Sequence, residues 1–198
     1  MFNFQRALPA LLAFAVVAAA PAPTDGVLTL RPGSRLWVDG TSTVRSFSCE
    51  ASSFDAQIQA NDQAVSAVLG GVKAVQSVDI TVPVKALDCK NGKMNEHMLK
   101  ALKADAHPEI AFRLTSYELE QAGEAVRATL TGSLTMGGVE KPITLEADVT
   151  AGDSGVLEVG GMVDINMKEF GLKPPSLMLG TMKVRETVNV KFELLLQQ

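Results

Sequence analysis

The sequence is poor in the residues that catalysis and metal binding require. Its 198 residues include two cysteines, two histidines, one tryptophan and one tyrosine. The histidines, His97 and His107, do not stand in a metal-binding spacing such as H-E-x-x-H. We therefore expect no metal site and no cofactor, and we interpret both histidines as surface or helix-capping residues.

Clustered positive charge is also absent from the sequence. The chain has 18 basic and 22 acidic residues, a net charge of −4, and no run of Lys or Arg. Proteins whose main role is to bind nucleic acid or anionic membranes rely on such clusters. The sequence therefore argues against both roles and predicts no nucleic-acid partner.

Few groups are available for acid–base or nucleophilic catalysis. Such chemistry needs a nucleophile near a positioned base. His97 beside Glu96 is the only pair in the chain that we would test for this role. We predict that the protein is not an enzyme.

The first 22 residues are typical of a secretory signal peptide. Arg6 precedes an apolar run from Ala7 to Ala20, which ends in an A-x-A site at Ala18 and Ala20. The run is shorter than the roughly 18 apolar residues that span a bilayer, so a membrane anchor is disfavoured. We expect residues 23–198 to form one exported domain, periplasmic or secreted.

Export also bears on the two cysteines. In an oxidising compartment an isolated pair is most simply explained as one disulfide, which predicts a bond between Cys49 and Cys89. A redox or metal pair is the weaker alternative, because the spacing is not C-x-x-C.

Strand-length stretches in which apolar and polar residues alternate begin near Ser34 and continue to the C-terminus. The period is clearest at Val78, Ile80 and Val82, and it recurs from residue 126 to residue 136. Side chains of a strand point alternately to its two faces, so each strand has one apolar and one wet face. The pattern predicts an all-β fold, a single antiparallel up-and-down β-barrel of about eight strands.

Turns that contain Gly, Asn or Pro separate the predicted strands. The strands are residues 31–49, bent at 40–43, and residues 54–59, 78–87, 110–114, 124–136, 142–150, 156–167 and 182–196. Residues 65–75 are less regular. Residues 168–179 form a long connection of the kind that is often functional.

One short amphipathic helix is predicted at residues 91–104, where apolar side chains recur at intervals of three and four residues. Asn91 or Asn95 is its candidate N-cap, and Pro108 ends the helical region. The helix would pack on the barrel, either as part of the core or as a lid over an open edge.

The interior of an eight-stranded barrel is either filled by side chains or holds one ligand, and the size of the inward residues decides which. Small residues interrupt the apolar face at Ala128, Gly132, Ala147 and Gly161. They either leave space for a ligand or fit the strong coiling of a filled, closed sheet. A cavity would be lined by aliphatic residues with a few Phe and Met, which favours a long apolar ligand.

Five segments, in order along the chain, carry a resemblance to a known family. They are G-x-S-x-V-R-x-F from Gly40, V-P-V-K-A-L-D from Val82, the helix-to-strand passage from Met94 to Phe112, the segment from Leu130 to Leu145, and K-x-F-G-L-x-P-P from Lys168. On these segments the chain resembles the YceI-like family of exported, lipocalin-like barrels. The resemblance implies an extended antiparallel barrel with a helix against it. It also implies an interior tunnel, which in some members holds a polyisoprenoid such as a quinone or prenyl lipid.

We therefore expect an exported, non-catalytic protein that holds a polyisoprenoid or a similar long apolar lipid inside its barrel. The expected ligand-lining residues are Phe47, Val82, Met98, Leu102, Phe112, Ala128, Leu130, Gly132, Leu134, Gly161 and Phe170. The alternative is a structural or interaction protein, with a filled barrel that binds a protein partner through residues 168–179. An exposed edge strand would allow dimerisation, so the choice between monomer and dimer stays open.

Overall fold

The computed structural model describes residues 25–177 and 182–198. Within these residues the strands are β1 (Asp25–Leu30), β2 (Arg35–Thr41), β3 (Ser46–Ala51), β4 (Asp55–Asn61), β5 (Val75–Pro83), β6 (Leu87–Asp88), β7 (Glu109–Ala122), β8 (Ala125–Met136), β9 (Val139–Ala151), β10 (Leu157–Asn166), β11 (Ser176–Leu177), β12 (Met182–Lys183) and β13 (Thr187–Gln197). The helices are α1 (Ala64–Leu69) and α2 (Gly92–Ala101). The predicted signal peptide lies outside the described residues.

Eight antiparallel strands close into a barrel. Their order is β1-β4-β5-β7-β8-β9-β10-β13, and β13 pairs again with β1 through Thr29 with Gln197 and Leu30 with Leu196. From β4 to β13 the ring strands follow one another along the chain, as in an up-and-down meander. The all-β barrel of eight strands predicted from the alternation is confirmed.

A three-stranded arm extends from the barrel at β13. Only the end of β13 pairs with β1, and its earlier residues pair with β2, to which β3 and then β6 are added. The prediction of one bent strand over residues 31–49 was therefore wrong. Ser42 explains the difference, because its hydroxyl accepts hydrogen bonds from the amides of Val44 and Arg45 and donates one to the Arg45 carbonyl. The side chain closes a hairpin turn between β2 and β3.

The two helices lie at different parts of the barrel. Helix α2 matches the predicted helix, and Asn91 caps it by accepting a hydrogen bond from the Met94 amide at 3.0 Å. Helix α1 occupies part of the stretch that the sequence left as irregular. Its buried residues Ala64 and Val68 pack into the apolar cluster at one end of the barrel.

The packed core lies at the two ends of the barrel rather than along its whole length. On β10, Leu157 and Ile165 are 2% and 4% exposed, whereas the inward residues between them, Val159, Gly161 and Val163, are only half-buried. One buried cluster surrounds α1, and a second surrounds Phe170 near α2. The middle of the barrel is therefore not filled by side chains, which decides against the filled-barrel alternative.

Two of the small inward residues do not create the space that the sequence suggested. A Cβ atom built on Gly161 would lie 2.6 Å from the ring of Phe192 on β13, and one built on Gly132 would lie 2.6 Å from the ring of Phe112 on β7. Each glycine thus allows an aromatic ring of the neighbouring strand to lie directly over the backbone. Of the two alternatives left open for these glycines, fit to the coiled sheet describes them better, because the rings occupy the positions above them.

This packing predicts opposite effects for two adjacent glycines of β10. A Cβ on Gly161 meets both the Phe192 ring and the Glu146 carbonyl at 2.6 Å, whereas a Cβ on Gly160 meets only the Phe192 carbonyl at 3.9 Å. We expect Gly161→Ala to lower the free energy of unfolding by about 1–3 kcal/mol through overpacking. Gly160→Ala should be neutral or stabilise by up to about 1 kcal/mol. Urea unfolding of both variants checks this, and equal effects would contradict the packing described.

Candidate functional site

A cavity of about 580 Å³ occupies the barrel between the two buried clusters. Its wall consists mainly of the inward side chains of the barrel strands, joined by β2, β3 and α2. This volume lies within the range of sites that bind small molecules or cofactors. The wall is almost wholly aliphatic and aromatic, so it suits an apolar molecule.

Most of the predicted lining residues lie on this wall. Those on it are Phe47, Val82, Met98, Leu102, Phe112, Ala128, Leu130 and Leu134. Gly132 and Gly161 are not on it, because the rings of Phe112 and Phe192 cover them. Phe170 is not on it either and lies, 2% exposed, within the cluster that closes the α2 end of the barrel. Contact between any of these residues and a ligand remains a prediction.

Some of the residues that line the cavity are exposed to solvent. Among the residues that line it, the exposed ones are Arg45, Asn91 and Lys93. Arg45 immediately precedes β3, and the other two lie at the start of α2. We call these three residues the mouth.

A covalent and hydrogen-bonded framework holds α2 at the mouth. The predicted disulfide between Cys49 and Cys89 is confirmed and joins β3 to the segment before α2. Asn95 accepts a hydrogen bond from the Cys89 amide at 2.8 Å and donates one to the Asp88 carboxylate at 2.8 Å. The first turns of the helix are therefore tied to β3 and β6.

Helix α2 also contributes directly to the wall. Met94, His97 and Met98 line the cavity near the mouth. Of the two positions considered for this helix, core or lid, the second describes it better, because no residue of α2 is fully buried.

The polar atoms of the wall are mostly satisfied. The Tyr117 hydroxyl accepts a hydrogen bond from the Val75 amide at 2.9 Å and donates one to its carbonyl at 3.2 Å. His97 differs, because its Nε2 atom is buried and has no hydrogen-bond partner among the described residues. A buried polar atom without a partner is uncommon and requires an explanation.

The charged groups of the wall have one sign. Arg45 and Lys93 are the charged residues that line the cavity in the described part of the chain, and no Asp or Glu lines it. Sequence reasoning missed both cations, because they are isolated in the sequence and only the fold brings them to one site.

Other kinds of site find no support in the described residues. No group of three or more His, Cys, Asp or Glu side chains in residues 25–177 and 182–198 could hold a metal ion. His107 does not line the cavity and packs where a side chain on Gly138 would otherwise stand. No described helix has the length and apolar character needed to cross a membrane.

A closed antiparallel barrel around an apolar cavity, with a helix beside it, defines a lipocalin-like barrel. The particular family follows from the sequence profile of the YceI-like domain, which matches residues 34–196. The chain belongs to the YceI-like family.

Relatives of known sequence agree with this assignment. The chain is 29% identical over 109 residues to Protein YceI of Shigella flexneri, covering 50% of this chain and 54% of that protein. It is 31% identical over 108 residues to a UPF0312 protein of Enterobacter sp. (strain 638), covering 50% and 53%. The chain thus spans about half the length of the curated relatives it matches.

Solved structures share the fold at low sequence identity. Burkholderia cenocepacia BcnA superposes with a TM-score of 0.65 at 21% identity, over 82% of this chain and 95% of that chain. A polyisoprenoid-binding domain from Saccharophagus degradans, implicated in plant cell wall breakdown, superposes with a TM-score of 0.63 at 12% identity, over 89% and 99%.

The framework at α2 predicts a pH-dependent contribution to stability. The pKa of Asp88 lies below its ordinary value, because the Asn95 amide and the Lys90 backbone and side chain donate hydrogen bonds to its carboxylate. A lowered folded-state pKa stabilises the protein above the unfolded value, about 3.9, and this stabilisation is lost as the pH falls through the folded value. We therefore expect Asp88→Asn to destabilise the protein at pH 7 and to differ less from wild type at pH 3.

Urea unfolding at the two pH values measures this difference. Asp105→Asn, a change of an exposed aspartate in the turn after α2, is the matched control and should show no such dependence. A gap between Asp88→Asn and wild type that stays constant from pH 7 to pH 3 would contradict the prediction.

Proposed function

We propose that the protein is an exported, non-catalytic carrier that holds a polyisoprenoid, or a similar long apolar lipid, inside its barrel. The observation that carries the proposal is the apolar cavity of about 580 Å³ between the two buried clusters. The chain of the lipid occupies the barrel, and its polar end lies at the mouth.

The energetics of the wall favour such a ligand. Burying apolar carbon in an apolar site yields about 0.8 kcal/mol for each CH₂ group. A chain of roughly ten such groups therefore gains about 8 kcal/mol before the costs of ordering and association are subtracted. Inward residues such as Val159 and Val163, now half-buried, become fully covered when the ligand binds.

The comparisons support the class of ligand without identifying it. The domain from Saccharophagus degradans that shares this fold is described as polyisoprenoid-binding. Low identity limits that likeness to the fold, so the ligand of this chain is argued from its own cavity. A quinone and a prenyl lipid both fit a wall of this composition.

Export and the absence of catalysis are parts of the same proposal. The Cys49–Cys89 disulfide suits an oxidising compartment, which agrees with a signal peptide at residues 1–22. Catalysis finds little support, because no carboxylate lines the cavity in the described residues and Glu96, the partner considered for His97, is not on the wall.

Two neighbouring residues of β10 offer a matched test. Val163 lines the cavity, whereas Met162 points outward and is 62% exposed. We expect Val163→Trp to place an indole in the cavity and to weaken binding of a long-chain polyprenol and a long-chain quinone at least about tenfold. Met162→Trp adds the same side chain on the outside and should bind both lipids as wild type does.

Titration of each purified protein with the two lipids, after delipidation, measures these affinities. Circular dichroism shows whether each variant keeps the β-fold. Equal lipid binding by folded Val163→Trp and Met162→Trp would contradict the proposal that the barrel holds the chain.

A further inference from the structure

We infer that the mouth binds an acidic head group, so that the ligand is a long-chain lipid ending in anionic oxygens such as a phosphate monoester or a carboxylate. Arg45 and Lys93 attract the charge. This inference rests on the proposed function and names the chemistry of the end of the lipid that stays at the mouth.

The first observation is the sign of the charge around the cavity. Its charged lining residues in the described chain are Arg45 and Lys93. A cation beside an apolar, low-dielectric wall interacts with an anion more strongly than one surrounded by water. The mouth is therefore selective for negative charge, although the whole chain has a net charge of −4.

The second observation is that these two cations are not neutralised by the protein. Cations on the outer face of the barrel pair with acids of adjacent strands, as in Arg113 with Asp79 at 2.6 Å and Lys191 with Asp39 at 2.9 Å. Arg45 and Lys93 form no ion pair with any described residue.

The acidic residues near the mouth do not change this balance. The Asp88 carboxylate accepts hydrogen bonds from Asn95 and from the Lys90 amide, and it pairs with the Lys90 ammonium at 3.3 Å. Glu96 is exposed on α2 and does not line the cavity. The positive charges of Arg45 and Lys93 are therefore available to a ligand.

The disulfide explains why these groups lie at one place. Arg45 precedes Cys49 by four residues, and Lys93 follows Cys89 by four residues. β3 and β6 are antiparallel, with Glu50 opposite Asp88. From the disulfide, the chain towards the N-terminus leads to Arg45 and the chain towards the C-terminus leads to Lys93. In antiparallel strands these two directions are the same. The disulfide therefore fixes the two chain segments that carry Arg45 and Lys93 next to each other.

A double variant and a matched double control test the charge. Arg45→Ala with Lys93→Ala removes both cations of the mouth. Arg127→Ala with Lys100→Ala removes the same charge from β8 and from α2, at exposed residues that do not line the cavity. The probes are a prenyl phosphate and the uncharged prenol of the same chain length.

We expect wild type to bind the prenyl phosphate more tightly than the prenol. The mouth variant should weaken binding of the phosphate about tenfold and change binding of the prenol by less than about twofold. The control variant should change neither by more than about twofold. Added salt should weaken binding of the phosphate by wild type and leave binding of the prenol nearly constant.

The two failures are distinguishable. Equal affinity of wild type for phosphate and prenol, with no difference between the mouth variant and its control, overturns the acidic head group but leaves the lipid carrier in place. Failure of wild type to bind either lipid overturns the proposed function, and the head-group site with it.

Discussion

Closure of the backbone hydrogen-bond ring is the constraint on which the rest of the structure depends. Once β13 pairs with β1, eight strands fix the width of the barrel, and the side chains inside cannot move together to remove empty space. Ordinary cores avoid such voids by close packing. Here packing succeeds only at the two ends, where α1 closes one end and the cluster around Phe170 closes part of the other. The apolar space between them is a product of the topology, and inward residues such as Val159 and Val163 stay only half-buried.

The edge of β13 also determines where that space opens. Because β13 pairs with β1 at its end and with β2 before it, the sheet continues into the arm of β2, β3 and β6. The Cys49–Cys89 disulfide then ties this arm to the start of α2. A cavity with an apolar interior and a cationic mouth is polarised in the same way as an amphiphilic lipid, which has an apolar chain and a polar end. If the barrel holds a lipid as proposed, this polarity sets the direction of the lipid as well as its place.

The sequence predicted the strands and the helix that a local periodic pattern specifies. It missed features that depend on contacts between residues distant in the sequence. Alternation predicted the barrel strands other than β1, which precedes the first predicted strand, and helical spacing predicted α2, since each pattern reports which side of one element faces the core. The β2–β3 hairpin was missed because a hydroxyl of Ser42, rather than glycine alone, closes the turn. Strand β7 was predicted too short because a bulge between Leu114 and Ser116 shifts its inward residues by one position.

Eight of the eleven predicted lining residues lie on the cavity wall, whereas the covering of Gly132 and Gly161 by rings of other strands has no local signal. Arg45 and Lys93 are single charges in sequence, and only the disulfide-linked arm makes them a pair.

The central claim is that the barrel holds one lipid molecule, and native mass spectrometry of the protein tests it most directly. The protein would be purified from its own cell envelope without detergent, and any bound molecule would be extracted and identified. The account predicts one species heavier than the mature chain by the mass of a single long-chain lipid, lost on organic extraction. A protein of the bare chain mass that also takes up no added polyprenol, quinone or prenyl phosphate would contradict it.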